Sequence, residues 1–260
     1  MPKNIIRLIG EGFSSYFKNL VVVLPFLFQI ILVAITGTLA MFLFAKTLNL
    51  QLFDLVLQKL TAEQLQEVFI SAFSASETIS KLVFLFVLSF LIVLLISSYF
   101  IPGAIGMMLS VFKSNKKPSL KEMNEYGKRF FWRYFFLQLI INVFFFVLAS
   151  IIFLPVLLSN SSAWAIVLFI ILFIALIIFY IFFILAPFVL IVKDSFVFQS
   201  IKQSFILTKK NFWALINLGA LYFVMSAIVQ IIPYVGSILS ALIINPALNL
   251  SIVLFCIERS

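Results

Sequence analysis

The sequence predicts an all-α integral membrane protein: a bundle of six transmembrane helices with amphipathic helices at the membrane interface. The 260 residues are 64% hydrophobic and 10% charged, with a mean hydropathy of +1.25. Soluble domains are about 45–50% apolar and about 25% charged, so a water-soluble fold this apolar would be unable to cover its surface. Six apolar stretches are long enough to cross a bilayer, and most basic residues lie between alternate stretches.

Each predicted span is an uncharged apolar stretch of about 20 residues or more, the length that crosses about 30 Å of hydrocarbon. The spans cover residues 20–45, 82–112, 135–158, 163–192, 212–232 and 235–257. Each contains or adjoins a proline, which removes a backbone donor, and neighbouring helices can satisfy the freed groups. The first apolar run is longer than the apolar region of a signal peptide, which is about 7–15 residues, so we expect an uncleaved span. Residues 1–260 are expected to form one membrane domain.

The distribution of lysine and arginine predicts that both termini are cytoplasmic. Of the 18 basic residues, three precede the first span, seven separate the second and third, four separate the fourth and fifth, and one follows the sixth. The segment between the first and second spans carries three, and the remaining two loops carry none. Positive charge in short loops marks the cytoplasmic side, so fifteen basic residues against three set the orientation.

Three of the basic segments are also amphipathic, and each leads into a span. We expect them to lie in the interface with their lysines towards anionic lipid headgroups. The predicted apolar faces are Ile5, Ile9, Gly12, Phe13, Tyr16 and Leu20 in the first segment, Leu120, Met123, Gly127, Phe130 and Tyr134 in the second, and Val197, Ile201, Phe205, Thr208 and Phe212 in the third. The order of interfacial helix, span and span occurs three times, as in transporter repeats. Any basic amphipathic lead-in looks similar, so a duplication stays open.

The segment at residues 46–81 is the only sizeable one on the predicted outer side. Thr61 and Gln64 have the spacing of a capping box, which starts a helix. We therefore expect two short amphipathic helices here. They would either form a lid over a cavity or pack on the membrane surface.

The composition speaks against an enzyme. The chain has no histidine, which is the commonest general base and metal ligand, and its lone Cys256 cannot form an internal disulfide. No charged residue lies inside a predicted span, whereas ion-coupled carriers and proton relays usually bury ionisable groups. We expect neither catalysis nor a cofactor or metal. Because the basic residues adjoin apolar segments, we expect lipid partners and not nucleic acid.

The polar groups left inside the spans are neutral amides. The candidate positions are Gln138, Asn142, Gln230, Asn245 and Asn249. Pro246 frees a carbonyl one turn earlier, near Leu242, so a polar site could gather beside Asn245. The alternative is that the amides only bond between helices. Asp194, directly after the fourth span, either docks the third amphipathic helix through its N-terminal amides or is a solvated loop residue.

Several stretches carry a resemblance to a known family: residues 52–56, the Leu185-Ala186-Pro187 stretch and the residues after it up to Asn211, and Leu248-Asn249-Leu250. They are similar to parts of the YciC-like inner-membrane proteins of enterobacteria. That group is multi-pass and uncharacterised, so the resemblance implies a bacterial inner membrane and supplies no activity.

Two functions are compatible with these features. The first is a non-enzymatic role in envelope organisation or lipid handling, favoured by the interfacial helices. The second is a transporter or channel for a neutral or lipidic solute, favoured by the proline-broken spans. A continuous polar cavity that joins the five amides would favour transport. Amides bonded to different neighbours would favour the first role. The sequence does not indicate a protein partner.

Overall fold

A computed structural model of the chain describes residues 5–47, 76–113, 117–158, 162–232 and 236–259. Within these ranges the fold is helical and has no β-strand, which confirms the predicted all-α class. The helices are α1 (Ile5–Lys18), α2 (Leu24–Thr47), α3 (Ser76–Lys113), α4 (Leu120–Leu158), α5 (Ser162–Phe183), α6 (Ala186–Val192), α7 (Val197–Lys210), α8 (Phe212–Gln230), α9 (Gly236–Leu239) and α10 (Asn245–Arg259). A 3₁₀ turn at Leu20–Val23 precedes α2, and a π-helical segment at Ser240–Ile244 joins α9 to α10.

Among the described residues, six helical stretches are long and apolar enough to cross a membrane, as the sequence predicts. They are Leu20–Thr47, Glu77–Lys113, Leu120–Ile151, Phe169–Val192, Phe212–Gln230 and Gly236–Arg259. The chain is therefore a multi-pass membrane protein. Most of the predicted outer segment, residues 48–75, lies outside the described residues, so its two short helices stay a prediction.

The chain divides into two compact units. One is Phe28–Ser97, where the side chain of Gln29 on α2 donates a 3.2 Å hydrogen bond to the hydroxyl of Ser97 on α3. The other comprises Met1–Leu27 and Ser98–Ser260, and we call it the larger unit. All five candidate amides lie in the larger unit. The single membrane domain expected from the sequence stays a prediction.

The last span is the centre of the larger unit. Of its most apolar stretch, 61% is buried, against 6–18% in the other five spans. Helix α1 packs along α10, with Gly12 at the closest approach. A Cβ atom on Gly12 would lie 2.9 Å from the backbone oxygen of Ala247 and closer still to the hydroxyl of Ser251. The glycine thus allows two helices to approach as small residues do in membrane bundles.

This packing adds to the prediction for the first amphipathic segment, of which Gly12 and Tyr16 are buried as predicted. Helix α1 is docked against the last span and buries Leu8, Gly12 and Tyr16, so its apolar face is not simply immersed in the interface. Leu8 is buried but was not among the predicted face residues. Leu20 was predicted to belong to this face, but it is exposed because the chain leaves the α-helical path at the 3₁₀ turn.

The second amphipathic segment is not a separate helix. Helix α4 runs without a break from Leu120 to Leu158, since only Gly127 weakens the helix between residue 120 and the start of the predicted span. The predicted face is largely correct: Met123, Gly127, Phe130 and Tyr134 are buried, and Leu120 is exposed.

The predicted fourth span is broken near its end. Helix α5 ends at Phe183, and α6 begins at Ala186 after a two-residue turn. Pro187 explains the position of the break, because it has no N–H to donate to the carbonyl of Phe183, four residues earlier. The break leaves the last carbonyls of α5 without intrahelical donors.

Candidate functional site

Gln138 and Asn142 form a chain of hydrogen bonds along α4. The side-chain amide of Asn142 donates to the backbone oxygen of Gln138 at 2.8 Å and to its Oε1 at 3.4 Å. Gln138 Nε2 in turn donates to the hydroxyl of Tyr134 at 2.8 Å, and Tyr134 is buried. The first pair of candidate amides is therefore satisfied along its own helix and not by bonds between helices.

The other three candidates have different surroundings. The hydroxyl of Tyr222 on α8 donates a 2.7 Å hydrogen bond to Asn245 Oδ1, which links α8 to α10. Asn249 is half-buried and makes no side-chain hydrogen bond within the described part of the chain. Gln230 is exposed at the last residue of α8. Hydrogen bonds thus do not join the five amides into one site.

Pro246 does free a carbonyl at Leu242, and a polar group from another helix occupies it. The hydroxyl of Tyr16 on α1 donates a 2.8 Å hydrogen bond to the backbone oxygen of Leu242. The π-helical segment that ends at Ile244 directly precedes Asn245 and Pro246, so the helix is widened where its regular bond is lost. Burial raises the pKa of Tyr16, which keeps its hydroxyl protonated as a donor.

Helix α7 caps the broken end of α5. Ser204 Oγ donates to the carbonyl of Phe182 at 2.6 Å, and Thr208 Oγ1 lies 3.5 Å from the carbonyl of Ile181. These carbonyls belong to the last turn of α5, where intrahelical donors are missing. Two hydroxyl side chains therefore lie at carbonyls next to the turn at Ile184 and Leu185, where the regular helix of α5 ends.

The third predicted apolar face is partly correct. The residues of α7 that are fully buried are Ser200, Ser204, Leu207 and Thr208, and of these only Thr208 was predicted. The predicted residues Val197 and Ile201 are half-buried and pack against the core, and the ring of Phe205 stacks on Phe182 of α5 at 5.0 Å. Ser204 is buried because a small hydroxyl residue permits the close approach that its hydrogen bond to α5 requires.

Asp194 binds two arginines of α4, which differs from both predictions for this residue. Arg133 Nη1 lies 2.8 Å from Asp194 Oδ1, and Arg129 Nη2 binds Asp194 Oδ2. Asp194 has a φ of 50°, and the N–H of Ser195 donates to the carbonyl of Leu190 at 3.1 Å. This is the pattern of a Schellman motif, with Asp194 in the left-handed position that ends α6. The helix end therefore fixes the carboxylate.

Sequence reasoning missed this arrangement, which we call the arginine pair (Arg129 and Arg133 with Asp194). The spacing of four residues places the two arginines on one face of α4 and was a usable signal. Asp194 could not be recognised as their partner, because it is more than 60 residues away in the chain. Arg133 also lies over two rings, at 5.1 Å from the centroid of Phe196 and 5.8 Å from that of Phe130.

Contacts within the larger unit bring its basic segments to the same end. Gly106, near the end of α3, lies against Tyr126, near the start of α4. The arginine pair connects α4 to the segment after α6. Arg259, at the end of α10, donates to Asn211 between α7 and α8. The neighbouring lysines at this end are Lys113, Lys121, Lys128, Lys193, Lys209 and Lys210.

Exposed aromatic side chains accompany these charges. Trp132 is 62% exposed, Phe196 69% and Trp213 74%. Each adjoins the basic end of a span, and aromatic rings of this kind concentrate at the headgroup level of membranes. Among the described residues, no group of three His, Cys, Asp or Glu side chains could hold a metal ion.

In comparisons with protein families, curated proteins and solved structures, the chain has no match. The resemblance to YciC-like proteins therefore stays a prediction.

Proposed function

We propose that this protein is a non-enzymatic, multi-pass component of the bacterial inner membrane that acts in lipid handling or envelope organisation. The observation that carries the proposal is the end of the larger unit at which basic segments meet exposed aromatic rings. Basic residues attract anionic lipids, and amphipathic aromatic rings favour the membrane interface. The proposed partners are accordingly anionic lipid headgroups on the cytoplasmic side, with both termini on that side.

The surroundings of the amides support this role over transport of a polar solute. Solute carriers bind their substrates near the bilayer midplane, where polar groups converge on one site. Here Gln138 and Asn142 are satisfied along α4, Asn245 binds Tyr222, and Gln230 is exposed. Most apolar side chains of the spans outside the packed end are exposed, as expected for contact with lipid.

The bacterial inner membrane is proposed on two grounds. The fifteen-to-three distribution of basic residues follows the positive-inside rule for a membrane with a cytoplasmic face. The resemblance to the YciC-like inner-membrane group points to the same location.

One observation favours the alternative, a transporter or channel for a neutral or lipidic solute. The fourth span is broken at Ile184 and Leu185, and the sixth contains the π-helical segment Ser240–Ile244. Discontinuous helices and π-segments often occur at functional sites of membrane proteins. Transport of a solute would require the amide side chains, and lipid handling would not, so substitution of the amides distinguishes the two functions.

The test compares membrane lipids and solute uptake in cells with and without the gene. Each phenotype is then complemented with the wild type and with a triple variant, Q138L, N142L and N245L. A change in lipid composition or distribution that both proteins restore supports lipid handling. A change in solute uptake that only the wild type restores would replace it with transport. If neither lipids nor uptake respond to the deletion, the proposed function is wrong.

A further inference from the structure

The arginine pair fixes two guanidinium groups side by side at the end of the membrane spans. Each arginine binds a different oxygen of the Asp194 carboxylate, and the Schellman motif at the end of α6 fixes the backbone of Asp194. Arg129 and Arg133 are one helical turn apart, and the helix α4 holds the backbone of both residues. Two long side chains that would otherwise lose much rotamer freedom on binding a ligand are already ordered.

The pair retains positive charge and donors. Two guanidinium groups and one carboxylate leave a net charge of about +1, and the exposed Lys128 and Lys193 adjoin them in sequence. An arginine carries about five N–H donors in a planar fork. The bonds to Asp194 use only some of these donors. The side chain of Arg129 is 60% exposed and that of Arg133 is 37% exposed. Both groups can therefore be approached from outside the protein.

The sequence around the arginine pair is that of a membrane interface. The uncharged apolar stretch of the third span begins at residue 135 in α4, and that of the fourth span ends at residue 192. Arg133 and Asp194 thus each lie two residues from an uncharged apolar stretch, where lipid phosphates are expected. The guanidinium of Arg133 is stacked against the ring of Phe196, which is exposed, and Trp132 is its exposed neighbour in sequence.

We propose that Arg129 and Arg133, oriented by Asp194, form a binding site for the phosphate group of an anionic membrane lipid. Arginine forks match phosphate oxygens with two parallel hydrogen bonds, which a lysine cannot reproduce. Phe196 and Trp132 supply apolar surface for the glycerol and upper acyl region of the same lipid. This inference rests on the proposed role in lipid handling and specifies where a lipid is recognised.

The site can be tested with Trp132 as the reporter. The chain has three tryptophans, so the full-length protein with W164F and W213F fluoresces from Trp132 alone. It is reconstituted in phosphatidylcholine vesicles that contain a minor fraction of phosphatidylglycerol. Bromine, which quenches tryptophan on contact, is carried on the acyl chains of either the anionic or the neutral lipid. The excess quenching by brominated phosphatidylglycerol measures its preference for the surface around Trp132.

We expect the unsubstituted arginine pair to favour phosphatidylglycerol. In R129Q/R133Q this preference should fall about tenfold, the effect of losing hydrogen bonds to a charged group. The matched control K18Q/K202Q removes the same charge from exposed positions on α1 and α7 and should keep most of the preference. R129K/R133K retains the charge without the planar fork and should restore only part of it. Unchanged quenching by brominated phosphatidylcholine verifies that a variant is folded.

The outcomes separate the site from the proposed function. Equal losses of preference in R129Q/R133Q and K18Q/K202Q, or the full preference in R129K/R133K, would mean general electrostatic attraction and overturn the site, while lipid handling would stand. Suppression of the preference by inorganic phosphate at physiological concentration would overturn the assignment to a lipid. Absence of any preference in the wild type would overturn the site, and the gene-deletion experiment would still decide the function.

Discussion

The hydroxyl of Tyr16 donates a 2.8 Å hydrogen bond to the backbone oxygen of Leu242, the carbonyl from which Pro246 withholds its helical donor. The two residues are 226 positions apart in the chain. One side chain near the N-terminus thus completes the backbone of the last span. Together with the contact of Gly12 against Ala247 and Ser251, it holds α1 to the most buried helix of the larger unit.

Removing this hydroxyl should destabilise the larger unit. Y16F removes this donor from the half-buried carbonyl of Leu242, and we expect a loss of about 1–2 kcal/mol in the free energy of unfolding. The measurement is unfolding by a denaturing detergent from mild micelles. Y180F is the control, because Tyr180 is 58% exposed and its hydroxyl makes no hydrogen bond within the described residues. Equal stability of Y16F and the wild type would mean that the bond contributes nothing.

Gly12 and Gly10 should respond in opposite directions to the same substitution. In G12A the new methyl group overlaps Ser251 and the backbone of Ala247, so we expect a destabilisation of about 1–3 kcal/mol. In G10A nothing lies within 4 Å of the added Cβ atom, and the variant should gain about 0.5–1 kcal/mol from helix propensity. The two unfolding curves measured under identical conditions check this. A stable G12A would show that α1 and α10 are not closely packed.

The bond between Tyr222 and Asn245 should be measurable as a coupling between α8 and α10. N245A and Y222F should each lose about 0.6–1.7 kcal/mol, and the double variant should lose less than the sum of the two. Q230A should change stability by less than about 0.5 kcal/mol, because Gln230 is exposed. Additive losses in the double variant would show that the hydrogen bond is not formed.

The proposed orientation can be tested with single cysteines in a C256S background. Gln199 on α7 and Glu77 on α3 are both exposed and belong to segments predicted to lie on opposite sides of the membrane. In intact cells with a permeable outer membrane, an impermeant maleimide should label E77C and should label Q199C only after the inner membrane is opened. The reverse labelling pattern would place the termini outside the cytoplasm.

The periodicity and composition of the sequence were sufficient to predict the six spans. An uncharged apolar run of about 20 residues has few alternatives to a membrane helix, since its backbone groups must be paired internally in lipid. The boundaries agree to within a few residues at most ends, for example 212–232 predicted and Phe212–Gln230 observed. The proline positions also indicated where bonds are lost, including the carbonyl of Leu242.

The partners of those lost bonds could not be predicted. Tyr16 donates to the carbonyl of Leu242, and Ser204 donates to the carbonyl of Phe182. The spacing of residues in the sequence indicates neither of these pairs. The burial of Ser200 and Ser204 on α7 was not predicted for the same reason. Hydrophobic periodicity selects apolar residues, and it contains no information about a carbonyl on another helix to which a serine donates.

By itself, the sequence of this protein determined that the chain folds in a lipid bilayer, that it is helical and how many spans it has. These properties depend on runs of neighbouring side chains in one chain segment. Only the tertiary structure decided that α1 docks on the last span, that the five amides have separate surroundings, and that Arg129 and Arg133 share Asp194. Each of these depends on which helix faces which. In an apolar chain that choice is made by close packing and a few polar contacts between distant residues, and not by hydrophobicity, which is nearly the same on every face.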